Sequence, residues 1–172
     1  MNRRNIIAAG VASLSAATIT DSKAQDAKPD PSNPELEHVR ALLKAHDDAT
    51  TAHDVDAVLA TIADNGAIMG TGPEEMWSGH EELKFAYENF FKIYDKGEQG
   101  FEYDYRVGDL GDNMGWMLTS GTVVGKKGGE EFAYPLNVSL TVSKKDGEWK
   151  IAAMPFSTRM VLICSARSIP CG

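Results

Sequence analysis

The sequence predicts an α+β fold in which three N-terminal helices pack on one face of a curved, mostly antiparallel sheet. Three observations carry this prediction. Between residues 35 and 95, apolar residues recur at helical spacing behind capping residues. From Phe101 onward the period changes to 2. The turns "GDLGDN", "KKGG" and "KKDG" then separate alternating segments, as in an antiparallel meander.

The first helix opens at Asn33-Pro34-Glu35. Asn33 is a suitable N-cap and Pro34 suits the first helical position. Glu35 and Glu37 lie near the positive end of the dipole. Leu36, Val39, Leu43 and His46 fall on one face, and the helix ends near Thr51-Ala52-His53. Asp54 caps a shorter helix with Val55, Val58, Leu59 and Ile62 on its apolar side. Asp64-Asn65-Gly66 reads as a turn, followed by a short strand from Ala67 to Gly70. Ser78-x-x-Glu81 reads as a capping box. It opens a third helix to about Asp95, in which Leu83, Tyr87, Phe90, Phe91 and Tyr94 share a face, and Lys96-Gly97 stops it.

Four longer strands follow. Phe101, Tyr103, Tyr105 and Val107 alternate with polar residues in the first. The second runs from Met114 to Gly125. In the third, Phe132, Tyr134, Leu136, Val138, Leu140 and Val142 alternate, so that Asn137, Ser139 and Thr141 face away from the helices. The fourth runs from Trp149 to Ser157.

The ends of the chain differ from its middle. Arg3 and Arg4, the weakly apolar stretch Ile6 to Thr20, and the small residues of Ser22-Lys23-Ala24 match an export signal over residues 1–24. The twin arginine resembles a bacterial twin-arginine signal, with Sec export as the alternative; the expected location is periplasmic or secreted. Residues 25–34 carry three prolines and form a linker. Residues 160–172 form a tail holding Cys164 and Cys171, which an exported protein could pair. The tail reads equally as an extra strand, a partner-binding segment or a sequence irregularity.

Bulk properties exclude several functions. A net charge of −8 argues against a nucleic-acid or anionic-membrane surface. No apolar run beyond the signal is long enough to cross a bilayer. His38, His46, His53 and His80 are scattered, so no metal site is expected. No Gly-rich phosphate loop precedes a helix and no nucleophile elbow occurs, so no cofactor is expected.

Two stretches, "AHDVDAVLATIADNGAIMGTGPEEMWSGHEEL" and "KKDGEWKIAAMPFS", resemble the SnoaL-like branch of the nuclear transport factor 2-like superfamily. The resemblance places one such domain at residues 35–159. It implies a cone-shaped barrel, with a bent sheet wrapped around a long helix and a mostly apolar pocket inside. Members of the superfamily include ketosteroid isomerase, polyketide cyclases, dehydratases and non-enzymatic binding or assembly domains, so the fold alone does not name the activity.

The resemblance also directs attention to particular residues. The isomerases' aromatic hydroxyl donor falls on His46, which reads either as an acid/base group or as a buried histidine with satisfied nitrogens. Their proton-shuttling Asp falls on Gly70-Thr71, where no carboxylate stands. Their protonated Asp falls on Asn137 when aligned on Pro135, a position that alternation turns outward. Glu74 and Glu75 belong to the loop at the pocket mouth, as assisting carboxylates or as a solvated rim. Met69, Trp77, Tyr87, Phe91, Leu136 and Leu140 are the expected ligand contacts. Three functions follow: binding of a small apolar or amphipathic molecule; isomerase, cyclase or dehydratase chemistry with His46; and homodimeric assembly through the outer sheet face.

Overall fold

A computed structural model describes residues 33–158. The signal segment 1–24, residues 25–32 of the linker and the tail 160–172 with both cysteines lie outside the described residues. The elements run α1 (Glu35–Thr51), α2 (Val55–Thr61), β1 (Ile62–Met69), β2 (Met76–Ser78), α3 (Gly79–Phe90), β3 (Gly100–Leu110), β4 (Met114–Lys127), β5 (Glu130–Lys145) and β6 (Glu148–Ser157).

The strands form one sheet in the order β2-β1-β6-β5-β4-β3. Among the described residues, β1 and β6 run parallel and the other pairs are antiparallel. The expectation of three helices on a mostly antiparallel sheet is met, but the closed barrel is not: among the described residues β2 and β3 stand at the two edges of an open sheet. The helices pack on β1 and β6. The core there holds Val58, Ile62, Leu83 and Ile151, joined by Leu140, Val142, Trp149 and Met154.

Local rules explain most element ends. Asn33 Oδ1 accepts from the Glu35 backbone N–H at 3.0 Å, and Asp54 Oδ1 accepts from Ala57 N–H at 3.0 Å. The capping box expected at Ser78 and Glu81 does not close, because the Ser78 side chain makes no capping bond. Gly79 adopts φ 76°, and the Ser78 N–H donates to Glu82 Oε2 at 2.8 Å, in place of Glu81. The third helix stops at Phe90, short of the expected Asp95. Its last bonds tighten to three-residue spacing, Lys92 to Asn89 and Ile93 to Phe90, while the Asp95 N–H donates to Lys126 O at 2.9 Å. Asp64-Asn65-Gly66 is a wide irregularity within β1, between its pairings at Ile62 and Ala67, and β2 is an additional strand.

The third strand departs most from simple alternation. Tyr103 lies opposite Gly121 and Tyr105 opposite Ser120, so Asp104 is an unpaired bulge residue. Phe101 and Tyr103 therefore face inward with Gly121 and Val123, whereas Tyr105 and Val107 face outward with Ser120 and Leu118. On β5 the expected alternation holds: Leu136, Leu140 and Val142 are buried and Asn137 is exposed. A Cβ on Gly121 would lie 2.6 Å from the Phe101 ring, so this glycine lets an aromatic from β3 cover the β4 backbone.

Candidate functional site

A buried polar cluster joins the three helices. Thr61 Oγ1 donates its single proton to Val58 O at 2.6 Å, so it accepts from His46 Nδ1–H at 2.9 Å. Neutral His46 then presents Nε2 as an acceptor, and the Tyr87 hydroxyl lies 3.4 Å away to donate. His46 is 7% exposed, and burial lowers its pKa from 6.5 to about 4. Burial, followed by the Asp47 charge, pushes the Tyr87 phenol up. His46 thus holds α1, α2 and α3 together as a neutral ring with both nitrogens engaged.

Beyond this clasp the inner face of β3, β4 and β5 forms a wall that the helices leave partly open. Tyr103 is 51% exposed although it faces the inner side. Its ring lies edge-to-face with Phe101, with centroids 4.8 Å apart, and the Arg106 guanidinium sits 5.0 Å from its centroid. Asp47 faces the same region from α1. It stays open to solvent at its edge, yet burial raises its carboxyl, with Asp48 adding to the rise. The Tyr103 phenol is raised first by burial and then by Asp47, while Arg106 opposes the rise. Tyr94, Phe132 and Tyr134 continue the aromatic lining, with the Tyr94 and Phe132 centroids 5.0 Å apart and those of Phe132 and Tyr134 5.8 Å apart.

The acidic loop has a different task. Glu75 Oε2 accepts from Gly72 N–H at 2.7 Å, and the Gly70 N–H donates to the Glu75 carbonyl at 2.7 Å. A Cβ on Gly70 would lie 2.8 Å from the Glu75 Cβ. The Glu75 side chain therefore braces its own loop, and Gly70 makes room for it. Glu74 is exposed with φ 66°.

Four of the six expected ligand contacts lie in or against the packed core: Tyr87, Leu140, Trp77 and Phe91. Leu136 and Leu140 are buried on the inner face, and Tyr87 touches His46. Phe91 lies 5.6 Å from the Tyr87 centroid and stacks on His53 at 4.6 Å. Met69 is 43% exposed and lies opposite Pro155, on the face away from its buried neighbour Ile68. Trp77 pairs with Ile68 at the β2 edge and packs on the core. Tyr103, Arg106 and Asp47 were missed as a group. Asp47 directly follows His46 in the sequence, a usable signal, whereas the bulge hid the inward turn of Arg106.

Two clefts lie elsewhere. One of about 400 Å³ is lined by His53, Asp54, Lys84, Glu88 and Lys96. The other, about 260 Å³, lies on the outer sheet face between Tyr105, Leu118, Ser120, Asn137 and Ser139. Among the described residues no group of three or more His, Cys, Asp or Glu side chains is placed to hold a metal ion, and no helix is long and apolar enough to cross a membrane.

Residues 39–161 match the family model described as the SnoaL-like domain. No curated protein matches the sequence. Among solved structures, a ketosteroid isomerase-like protein from Erwinia carotovora atroseptica is 25% identical, with 75% of this chain and 99% of that one covered and a TM-score of 0.59. An NTF2-like protein of unknown function from Pseudomonas putida is 13% identical over 74% of this chain and 88% of that one, with a TM-score of 0.63. A protein of unknown function with a cystatin-like fold from Nostoc punctiforme is 19% identical over 72% and 90%, with a TM-score of 0.60. The last two likenesses concern the fold alone.

Proposed function

The chain belongs to the SnoaL-like domain family, and from that premise we propose that it is an exported protein binding a small amphipathic molecule against the inner wall of its sheet. One observation carries this reading: Tyr103, an inward-facing aromatic, remains half exposed beside Phe101 and Arg106, so the wall keeps apolar surface uncovered. Isomerase chemistry with His46 as acid/base has less support. Both ring nitrogens of His46 are engaged, and Gly70-Thr71 stands where the base would be. The test is fluorescence titration with N-phenylnaphthylamine, a neutral amphipathic probe. Saturable one-to-one binding is expected, weakened about fivefold or more by Tyr103→Ala, the loss of one aromatic contact. Absence of saturable binding overturns the reading.

A second reading, compatible with the first, is homodimerisation through the outer sheet face. Trp116 and Leu118 are each 46% exposed on that face of β4, beside Tyr105 of β3. Light scattering should then give a dimer that Leu118→Glu dissociates; a monomer at every concentration defeats it.

A further inference from the structure

The bulge at Asp104 determines which charge the inner wall offers. With strict alternation from Tyr103, residue 106 would point outward. The extra residue places Arg106 opposite Thr119, which is buried on the inner face. Bulges re-aim side chains in this way beside functional sites. Among the described residues, Arg106 has no ion-pair partner, although the chain as a whole is acidic, with a net charge of −8. Its guanidinium lies over the Tyr103 ring, 5.0 Å from the centroid.

This arrangement suits the head group of an anion. An aromatic ring beside a guanidinium limits its rotation while leaving N–H groups free for a planar two-oxygen acceptor. Arginine pairs with carboxylates through two parallel bonds that lysine cannot reproduce. Phe101, partly exposed, stands against the half-exposed Tyr103 ring, so apolar surface adjoins the charge. Asp47 is the acidic residue that faces Tyr103 from α1, and its charge opposes an anion there.

Resting on the ligand-binding reading above, we propose that Arg106, set by the Asp104 bulge and oriented by Tyr103, receives the carboxylate or sulfonate of an amphipathic acid whose apolar body lies along Tyr103 and Phe101. The site thereby prefers amphipathic anions to neutral molecules of the same shape.

A matched pair of probes tests this on the full chain. Anilinonaphthalene sulfonate carries the anion; N-phenylnaphthylamine has the same rings without it. The sulfonate should bind about fivefold or more tighter, and Arg106→Gln should weaken it about tenfold while leaving the neutral probe within about twofold, the scale of one charge-assisted contact. Arg106→Lys should fall between, and Asp47→Asn should strengthen sulfonate binding. Without any substitution, decanoate should displace the neutral probe at lower concentration than decanol. An Arg106→Gln protein that binds the sulfonate as before, or loses both probes equally, overturns the assignment. If the neutral probe binds and the sulfonate binds no better, only the role of Arg106 falls. If the neutral probe does not bind at all, the ligand-binding reading falls with it.

Discussion

The imidazole of His46 and the hydroxyl of Thr61 meet at 2.9 Å; the direction of that bond puts a proton on Nδ1, and burial keeps the ring neutral. This has a consequence for stability. Folded His46 titrates near pH 4, whereas the unfolded ring titrates near 6.5. Between these values the unfolded chain takes up a proton that the folded chain does not. Stability from this group is complete above about pH 6.5 and falls as pH drops toward 4, by about 3 kcal/mol in total. Urea unfolding across this range should show that slope, and His46→Asn should flatten it, leaving the contribution of His53, whose pKa burial also lowers.

The same clasp ranks two substitutions. Thr61→Val removes the acceptor for a buried imidazole N–H while keeping volume, and should cost about 1–3 kcal/mol. Tyr87→Phe removes only a 3.4 Å contact and should cost about 1 kcal/mol or less. Denaturant midpoints of the two proteins measure the order. A larger loss for Tyr87→Phe would mean that the hydroxyl, not the threonine, anchors the ring.

The loop at Gly70 resists conversion into an isomerase-like site. A side chain there meets the Glu75 Cβ at 2.8 Å, which cannot swing aside as a carboxylate tip can. Gly70→Asp should therefore destabilise the protein by about 1–3 kcal/mol, as overpacking does, without creating isomerase turnover. Thermal unfolding with a ketosteroid assay checks both parts. A fully stable Gly70→Asp protein would show that the Glu75 brace is dispensable.

How much of this was legible depended on the range of the interaction involved. The alternation Leu136, Val138, Leu140 and the Asp54 cap are local patterns, and the structure follows them. The family resemblance also pointed to His46, which proved to be a buried junction of three helices. The inward turn of Arg106 was not legible, because one unpaired residue at Asp104 reverses the phase of everything after it, and a single sequence does not mark which polar residue will bulge. The role of Glu75 was hidden for a related reason: its carboxylate bonds a backbone N–H three residues away, a contact that hydrophobic pattern does not encode.

The N-terminus of α1 offers a pH window lower than that of His46. Glu35 Oε2 accepts from Trp149 Nε1–H at 2.6 Å, and Oε1 pairs with Lys144 at 2.8 Å, so one carboxylate ties the first helix to the β5–β6 hairpin. The hydrogen bond to Lys144, then that to Trp149, lowers its pKa from 4.5 to about 2. A depressed carboxyl contributes stability that is present above about pH 4.5 and lost as pH falls toward 2. Glu35→Gln should be less stable than the parent at pH 7, and the gap should close over that window, most of which lies below the range in which His46 titrates. Guanidinium unfolding midpoints of both proteins at intervals from pH 7 to 2 make the comparison. A gap unchanged at the acid end would show that the carboxylate charge is not what holds the helix to the hairpin.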